Sequence, residues 1–251
     1  TSSILIRELP ITLVKDHPAW GDICRQTCEA PENSLIPVAG GPVELGKART
    51  NPLYGWDVEY GYSAEEVQSF KASKYLVSNQ EFLEFVAAGG YQNQDYWTAE
   101  GQSWLEFTHA EHPVYWIKKD DEYLYRSMLE ITQLPWDWPV ETNYLEAKAF
   151  CNWKSEASGA SIRLPSEAEW FQLRKGLDTD QPYWDEAPGN INLEHEMSPC
   201  PVSRYEFHDG FHDVIGNVWQ WTETAVNAYG GYEVHPAYDD FSTPTFDSFF
   251  K

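Results

Sequence analysis

Positive charge is scarce in this chain. Only 17 lysines and arginines stand against 40 aspartates and glutamates, a formal charge of −23 at pH 7. A field of that sign repels phosphate backbones and anionic lipid surfaces, and no basic run offers a local exception. Neither a nucleic-acid nor a membrane partner is expected. Long apolar runs are missing too: no stretch approaches the roughly 20 residues that cross a bilayer, and nothing at the N-terminus reads as a signal peptide. Cysteine is sparse, with Cys24, Cys28, Cys151 and Cys200 too few to form a disulfide framework in 251 residues. Cys24 and Cys28 have one-turn helical spacing, not the two-residue gap of a redox or zinc motif. Structural thiols in a cytoplasmic protein are the expectation. The chain opens on Thr1 rather than Met, as expected of a piece of something longer.

What the chain has in excess is aromatic surface, 16% of its residues within an apolar share of 42%. That is enough to bury a substantial core, so disorder is excluded. Three helices are legible from their ends. In "SNQEFLEFVAAGG", Ser78 and Glu81 have the spacing of a capping box, Phe82, Phe85 and Val86 form one face, and Gly89 supplies the stop. "TNYLEAKAFCNWKSEASG" places Leu145, Ala149 and Trp153 on one stripe and closes at Gly159. "RLPSEAEWFQLRKG" repeats the box with Ser166 and Glu169 and turns Trp170 and Leu173 inward. "SLIPVAGGPVELG" predicts a β-hairpin about its Gly-Gly turn. Residues 1–33 read as an extended piece, a short helix and a linker, the end of a preceding domain. The stretches 90–141 and 177–251 show little period, and such loops belong to functional surfaces or irregular folds. The class expected is a loop-rich α+β domain over 34–251 with few regular elements and no internal repeat.

Chemistry-bearing clusters are few. His208 and His212 lie four apart in "HDGFH" beside Asp209 and Asp213, but Gly210 between them argues for a turn rather than a metal-chelating helix. His109 and His112 are weaker, because Pro113 breaks the helix that would align them. Asn190, Asn192, Asp213 and Asn217 offer oxygen ligands that would suit calcium, or else serve turn chemistry. No Gly-rich phosphate loop follows a strand, and no Gly-x-Ser-x-Gly elbow or His-Glu-x-x-His is present. Tyr229, in "NAYGGYEVHP", reads as a residue of an exposed Gly-flanked loop.

The ordered set "ASKYLVSNQEFLEFVAAGGY", "WPVETNYLEAKAFCNW", "RLPSEAEW", "GNINLEH" and "DVIGNVWQWTET" resembles the formylglycine-generating-enzyme (sulfatase-modifying-factor) fold over roughly residues 34–247. "GGPVELGKARTNPLYGWDVEYG", "DQPYWDEAPGNINLEH" and "GYEVHPAYDDFSTPTFD" resemble, within it, the central domain of ovothiol-biosynthesis 5-histidylcysteine sulfoxide synthases, relatives of the ergothioneine sulfoxide synthases. The resemblance implies an Fe(II) enzyme that uses O2 to join the sulfur of cysteine to an imidazole carbon of histidine. It places the iron on histidines of a separate N-terminal helical-bundle domain with a His-x3-His-x-Glu motif, and a methyltransferase domain commonly follows. This chain has no such motif: "HDGFHDV" carries Val214 where the Glu belongs. It also ends before the Arg-Gly-Gly-Ser-Trp-type segment that completes the family's fold, so a C-terminally truncated domain, inactive alone, is expected. Cys151 and Cys200 do not substitute for the copper-binding cysteines of formylglycine-generating enzymes. By position Tyr229 resembles a loop tyrosine near the iron, where a phenol can act as general acid. The resemblance implies a turn at Gly216–Asn217, and Trp219 and Trp221, which alternate as on an extended segment, read as anchors of a fold with few long elements. A non-catalytic binding module and a formylglycine-generating oxidase are the competing readings.

Overall fold

Capping and aromatic packing decide most of the local structure. The computed structural model describes residues 2–14, 24, 26–176, 189–191 and 197–246, which fall into two compact units.

The first unit draws on residues 1–34, 73–163 and 187–219. Helix α1 (Ser2–Glu8) occupies the run expected to be extended. Its Arg7 explains the change, because the guanidinium is buried against Glu141 through two 2.6 Å hydrogen bonds and lies over the Tyr115 ring. Such a pair needs a fixed backbone, and the roughly two turns of α1 supply it. In α2 (Asn79–Ala87) the Ser78 hydroxyl accepts from the Glu81 N–H at 3.1 Å. The returning half of that box goes elsewhere: the Glu81 carboxylate takes the Asn33 amide at 3.1 Å and Lys154 at 3.2 Å. Helix α3 (Ala99–Thr108), in a stretch without apolar period, is capped by Thr98 and ends at His109 in the left-handed region. Helix α4 (Tyr144–Ser158) has a complete capping box from Asn143 and Glu146 and ends at Gly159, φ 69°. Glu146 is itself buried and takes a 2.5 Å bond from the Tyr91 hydroxyl. A three-stranded antiparallel meander follows α3, made of β5 (Trp116–Lys119), β6 (Glu122–Arg126) and β7 (Ile131–Gln133).

Phe82 and Phe85 of α2 and Ala149 and Phe150 of α4 pack with Tyr91, Trp97, Trp116, Tyr125 and Trp138 into one core. The Phe82 and Phe150 rings stack at 5.4 Å. Each such pair contributes about 0.5–1.5 kcal/mol beyond its buried area.

The second unit draws on residues 35–72, 164–186 and 220–251. Strands β1 (Leu35–Val38) and β2 (Gly41–Leu45) form, but the hairpin expected between them does not. β2 pairs antiparallel with β3 (Ser63–Val67), and β1 pairs with β4 (Phe70–Ser73). Backbone crowding explains the exchange of partners. A Cβ on Gly40 would sit 2.4 Å from the Val67 carbonyl oxygen, so the Gly-Gly step lets another strand pass close instead of folding back. Helix α5 (Glu167–Leu173) has its capping box from Ser166 and Glu169 as expected. Its inward face differs: Ala168 and Phe171, rather than Trp170 and Leu173, join the cluster of Val43, Leu45 and Val67. Residues 197–246 hold no strand of their own and only two short 3-10 turns, in keeping with the loop-rich class.

Candidate functional site: a tyrosine seated against helix α5

Tyr229 is held from three sides within the second unit. Its neighbour Gly230 exchanges both backbone hydrogen bonds with Tyr62, at 2.9 and 3.1 Å. Tyr229 to Tyr232 is a tight turn closed by the Tyr232 N–H on the Tyr229 carbonyl at 3.0 Å, with Gly231 at φ 83° where a side chain would be strained. The ring lies in a slot floored by two glycines. A Cβ on Gly61 would come within 2.6 Å of the Tyr229 Cβ, and one on Gly46 within 3.2 Å of its ring. The ring packs on Val43, Leu45, Val67 and Ala168, and its hydroxyl donates to the Glu167 carboxylate.

The loop is exposed at Asn227, Ala228, Gly230 and Gly231, as the sequence suggests, but the Tyr229 side chain itself is half-buried. Burial pushes the phenol pKa up, and Glu167 and Glu65 push it further, with Arg174 opposing. The hydroxyl stays protonated at neutral pH.

On the same unit, Arg49, Tyr54, Asp57, Tyr60, His235 and Tyr238 line a cavity of about 380 Å³. Asp57 is buried and accepts from Ser242 Oγ, the His235 N–H, the Val58 N–H and the Tyr232 hydroxyl. Burial alone would raise its pKa, but these donors outweigh burial and lower it. The carboxylate ties the segment after Tyr229 to the turn before β3.

The other candidates are placed apart from this site in the sequence. His208 faces Asp209 at 2.9 Å, and Asp209 takes φ 58°, so the two histidines of "HDGFH" share no helix. His212 packs on Tyr75, with its pKa lowered mainly by burial. His109 closes α3, and His112 turns its Nδ1 to the Pro113 carbonyl. Asn192 lies outside the described residues. The Asn217 amide is engaged on both ends of its dipole: Oδ1 accepts from the Cys200 N–H, and Nδ2 donates to the Cys200 carbonyl and to Asp213. Asn190 donates to the Ser198 carbonyl. Those side chains lock loops together, with Asp213 and Asn217 both at positive φ. Among the described residues no group of three His, Cys, Asp or Glu is placed to hold a metal ion. None of the four cysteines is in a disulfide; Cys24, Cys151 and Cys200 are buried and Cys28 is exposed.

Trp219 does not anchor the core: it is 96% exposed. The left-handed pair Gly216–Asn217 turns the chain, and the amide of Asn217, not the indole, does the anchoring. Trp221 is half-buried. Sequence reasoning missed Glu167 and Asp57. For Glu167 the only signal was an acid in the first turn of a well-capped helix, 62 positions from the tyrosine it meets.

Short strands, few helices and long ordered loops define a mixed α+β class. A solved structure, that of PvdO from Pseudomonas aeruginosa, shares this fold with a TM-score of 0.50 at 17% identity, covering 88% of this chain and 84% of that one. The chain belongs to the sulfatase-modifying factor enzyme 1-like domain family, which matches residues 22–238. It is 27% identical over 222 residues to the hercynine oxygenase of Mycolicibacterium smegmatis, covering 84% of this chain and 50% of that protein. It is also similar to ergothioneine biosynthesis protein 1 of Schizosaccharomyces pombe (25% identical; 77% of this chain, 22% of that protein). A third relative is the inactive C-alpha-formylglycine-generating enzyme 2 of Mus musculus (25% identical; 82% and 73%). The chain spans about half the length of the hercynine oxygenases it matches. No helix among the described residues is long and apolar enough to cross a membrane.

Proposed function

We propose that this domain is part of a sulfoxide synthase that joins cysteine sulfur to the imidazole carbon of histidine, the ovothiol-type reaction. The observation that carries the reading is Tyr229, a protonated phenol in a built slot, on a chain whose relatives include hercynine oxygenases. The chemistry balances with O2 alone: the thiol S–H and the imidazole C–H are lost, and one C–S bond and one S=O bond form. O2 accepts four electrons and leaves its second oxygen as water. Iron would activate the O2 when bound. Among the described residues no group fits an iron site; on this reading the ligands would come from a separate N-terminal helical-bundle domain, with a methyltransferase domain a further partner, as the family resemblance implies. What this chain would supply is a seated proton donor, with the Tyr229 Oη giving a proton or hydrogen bond to the oxidised substrate. A cytoplasmic setting suits its cysteine thiols.

The test is Fe(II)-dependent O2 uptake by the full-length protein with cysteine and histidine, with mass analysis of the product. Uptake with a joined sulfoxide is expected, and Tyr229→Phe should change its rate or the product ratio. No uptake with histidine or its trimethylated form would overturn the reading.

A second reading, a non-catalytic binding module, is favoured by one observation: the Tyr229 hydroxyl already has a carboxylate partner in Glu167. Turnover unaffected by Tyr229→Phe would select it.

A further inference from the structure

We infer that Glu167 is a positioning residue for Tyr229, fixing where the phenol oxygen lies so that its proton can be passed on by rotation of the hydroxyl, without movement of the ring. The inference rests on the reading of Tyr229 as the reacting group.

The two residues are fixed independently. Glu167 is the first residue of α5, directly after the Ser166 cap, and its own N–H is bonded to Thr224 Oγ1 at 3.0 Å. Tyr229 is fixed by the two-way bonds of Gly230 with Tyr62 and by the slot at Gly46 and Gly61. A carboxylate on a capped helix therefore meets a ring seated closely over two glycines. A phenol has one proton, and rotation about the Cζ–Oη bond is enough to swing it from Glu167 to an acceptor on another side.

The charged groups that act on the hydroxyl do not all pull one way, and the acids outnumber the base. Glu167 from α5 and Glu65 from β3 are acidic, and Arg174, just past α5, is the basic group. Arg174 is drawn toward the ring faces of Phe171, at 4.6 Å, and Trp170, at 5.1 Å. Two acids against one base disfavour the phenolate.

The proposal is tested first without turnover, by following tyrosine 13Cζ signals of the 251-residue chain against pH, with the Tyr229 signal identified by its loss in Tyr229→Phe. In the native chain it should titrate above the ordinary phenol range of about 10. In Glu167→Gln, which keeps the shape of the side chain and loses its charge, it should fall back toward that range. A Tyr229 signal unmoved by Glu167→Gln overturns the inference.

Turnover by the full-length protein provides the second readout. Glu167→Ala should lower kcat at least about tenfold with little change in KM, about 1.4 kcal/mol. The loss should disappear in a Tyr229→Phe background, and Glu167→Gln should restore part of it. Losses that multiply in the double variant, or a kcat indifferent to Glu167, overturn the inference even where the signal moves. If the native protein turns over no substrate, the proposed function falls while the titration still decides whether Glu167 governs the phenol.

Discussion

Asp57 and Ser242 are 185 positions apart in the chain and share a 2.6 Å hydrogen bond. The same carboxylate holds the His235 N–H at 3.0 Å, so one buried acid fastens the whole segment that follows Tyr229. Asp57→Ala should cost about 3 kcal/mol, because donors in a desolvated place lose a charged acceptor. The urea midpoint at pH 7 measures it. The Asp57 pKa is lowered in the fold, so its stabilisation is present above the ordinary carboxylate pKa and is lost as pH falls through the folded value. The gap between native and variant should therefore close in acid.

Arg7 and Glu141 form a buried pair with a different expectation. Arg7→Ala leaves an uncompensated acid beside Tyr125 and should cost about 3–5 kcal/mol. Replacing both partners, Arg7→Met with Glu141→Leu, should cost much less, since the desolvation of two charges is then avoided. Thermal unfolding of the two variants beside the native chain separates the cases; equal losses would refute the pairwise account.

Asp213 gives a pH signature of opposite sign. Burial raises its pKa to about 7, with the Asn217 hydrogen bond opposing. A carboxyl raised in the fold stabilises fully below its unfolded pKa of about 4, and that stabilisation is lost as pH rises through about 7. Asp213→Asn, neutral at every pH and at ease at φ 49°, should gain stability relative to native at pH 8 and keep only a smaller part of that advantage at pH 5. Parallel curves at the two pH values would show that the carboxyl is not protonated on burial.

Two aromatic truncations should differ sharply. Trp219→Ala removes a ring that is 96% exposed and should change stability by no more than about 0.5 kcal/mol. Phe82→Ala, at 1% exposure among Phe85, Trp116 and Phe150, should cost about 3–5 kcal/mol. Comparable losses would mean that Trp219 has a partner in solution.

Local rules made much of this fold legible. The caps at Ser78 and Ser166 and the stop at Gly159 were readable because they involve neighbours in sequence. Strands β1 and β2 were readable too, but not their pairing, which the close approach of Val67 to Gly40 decides. Helix α3 escaped detection because its face is poorly apolar, and its Thr98 cap follows directly on the aromatic pair Tyr96 and Trp97. Tyr229 was singled out by resemblance to a family; composition gave no reason to prefer it among 15 tyrosines. Its slot and its acid partner come from Gly46, Gly61 and Glu167, which no local pattern links to it.

Each compact unit is assembled from three separated stretches of chain, and the second takes its last stretch from residues 220–251. As the polypeptide leaves the ribosome, β2 and β3 emerge long before the tyrosine that covers them. Neither unit can be finished until its third stretch has emerged, and long-range closure of this kind is slow. No single cut frees one unit intact, so a nick in a connecting stretch wounds both. Evolution can reshape the loop at Tyr229 by insertion, but the seat of its ring travels only with Gly46, Gly61 and Glu167, which distant stretches of the chain supply.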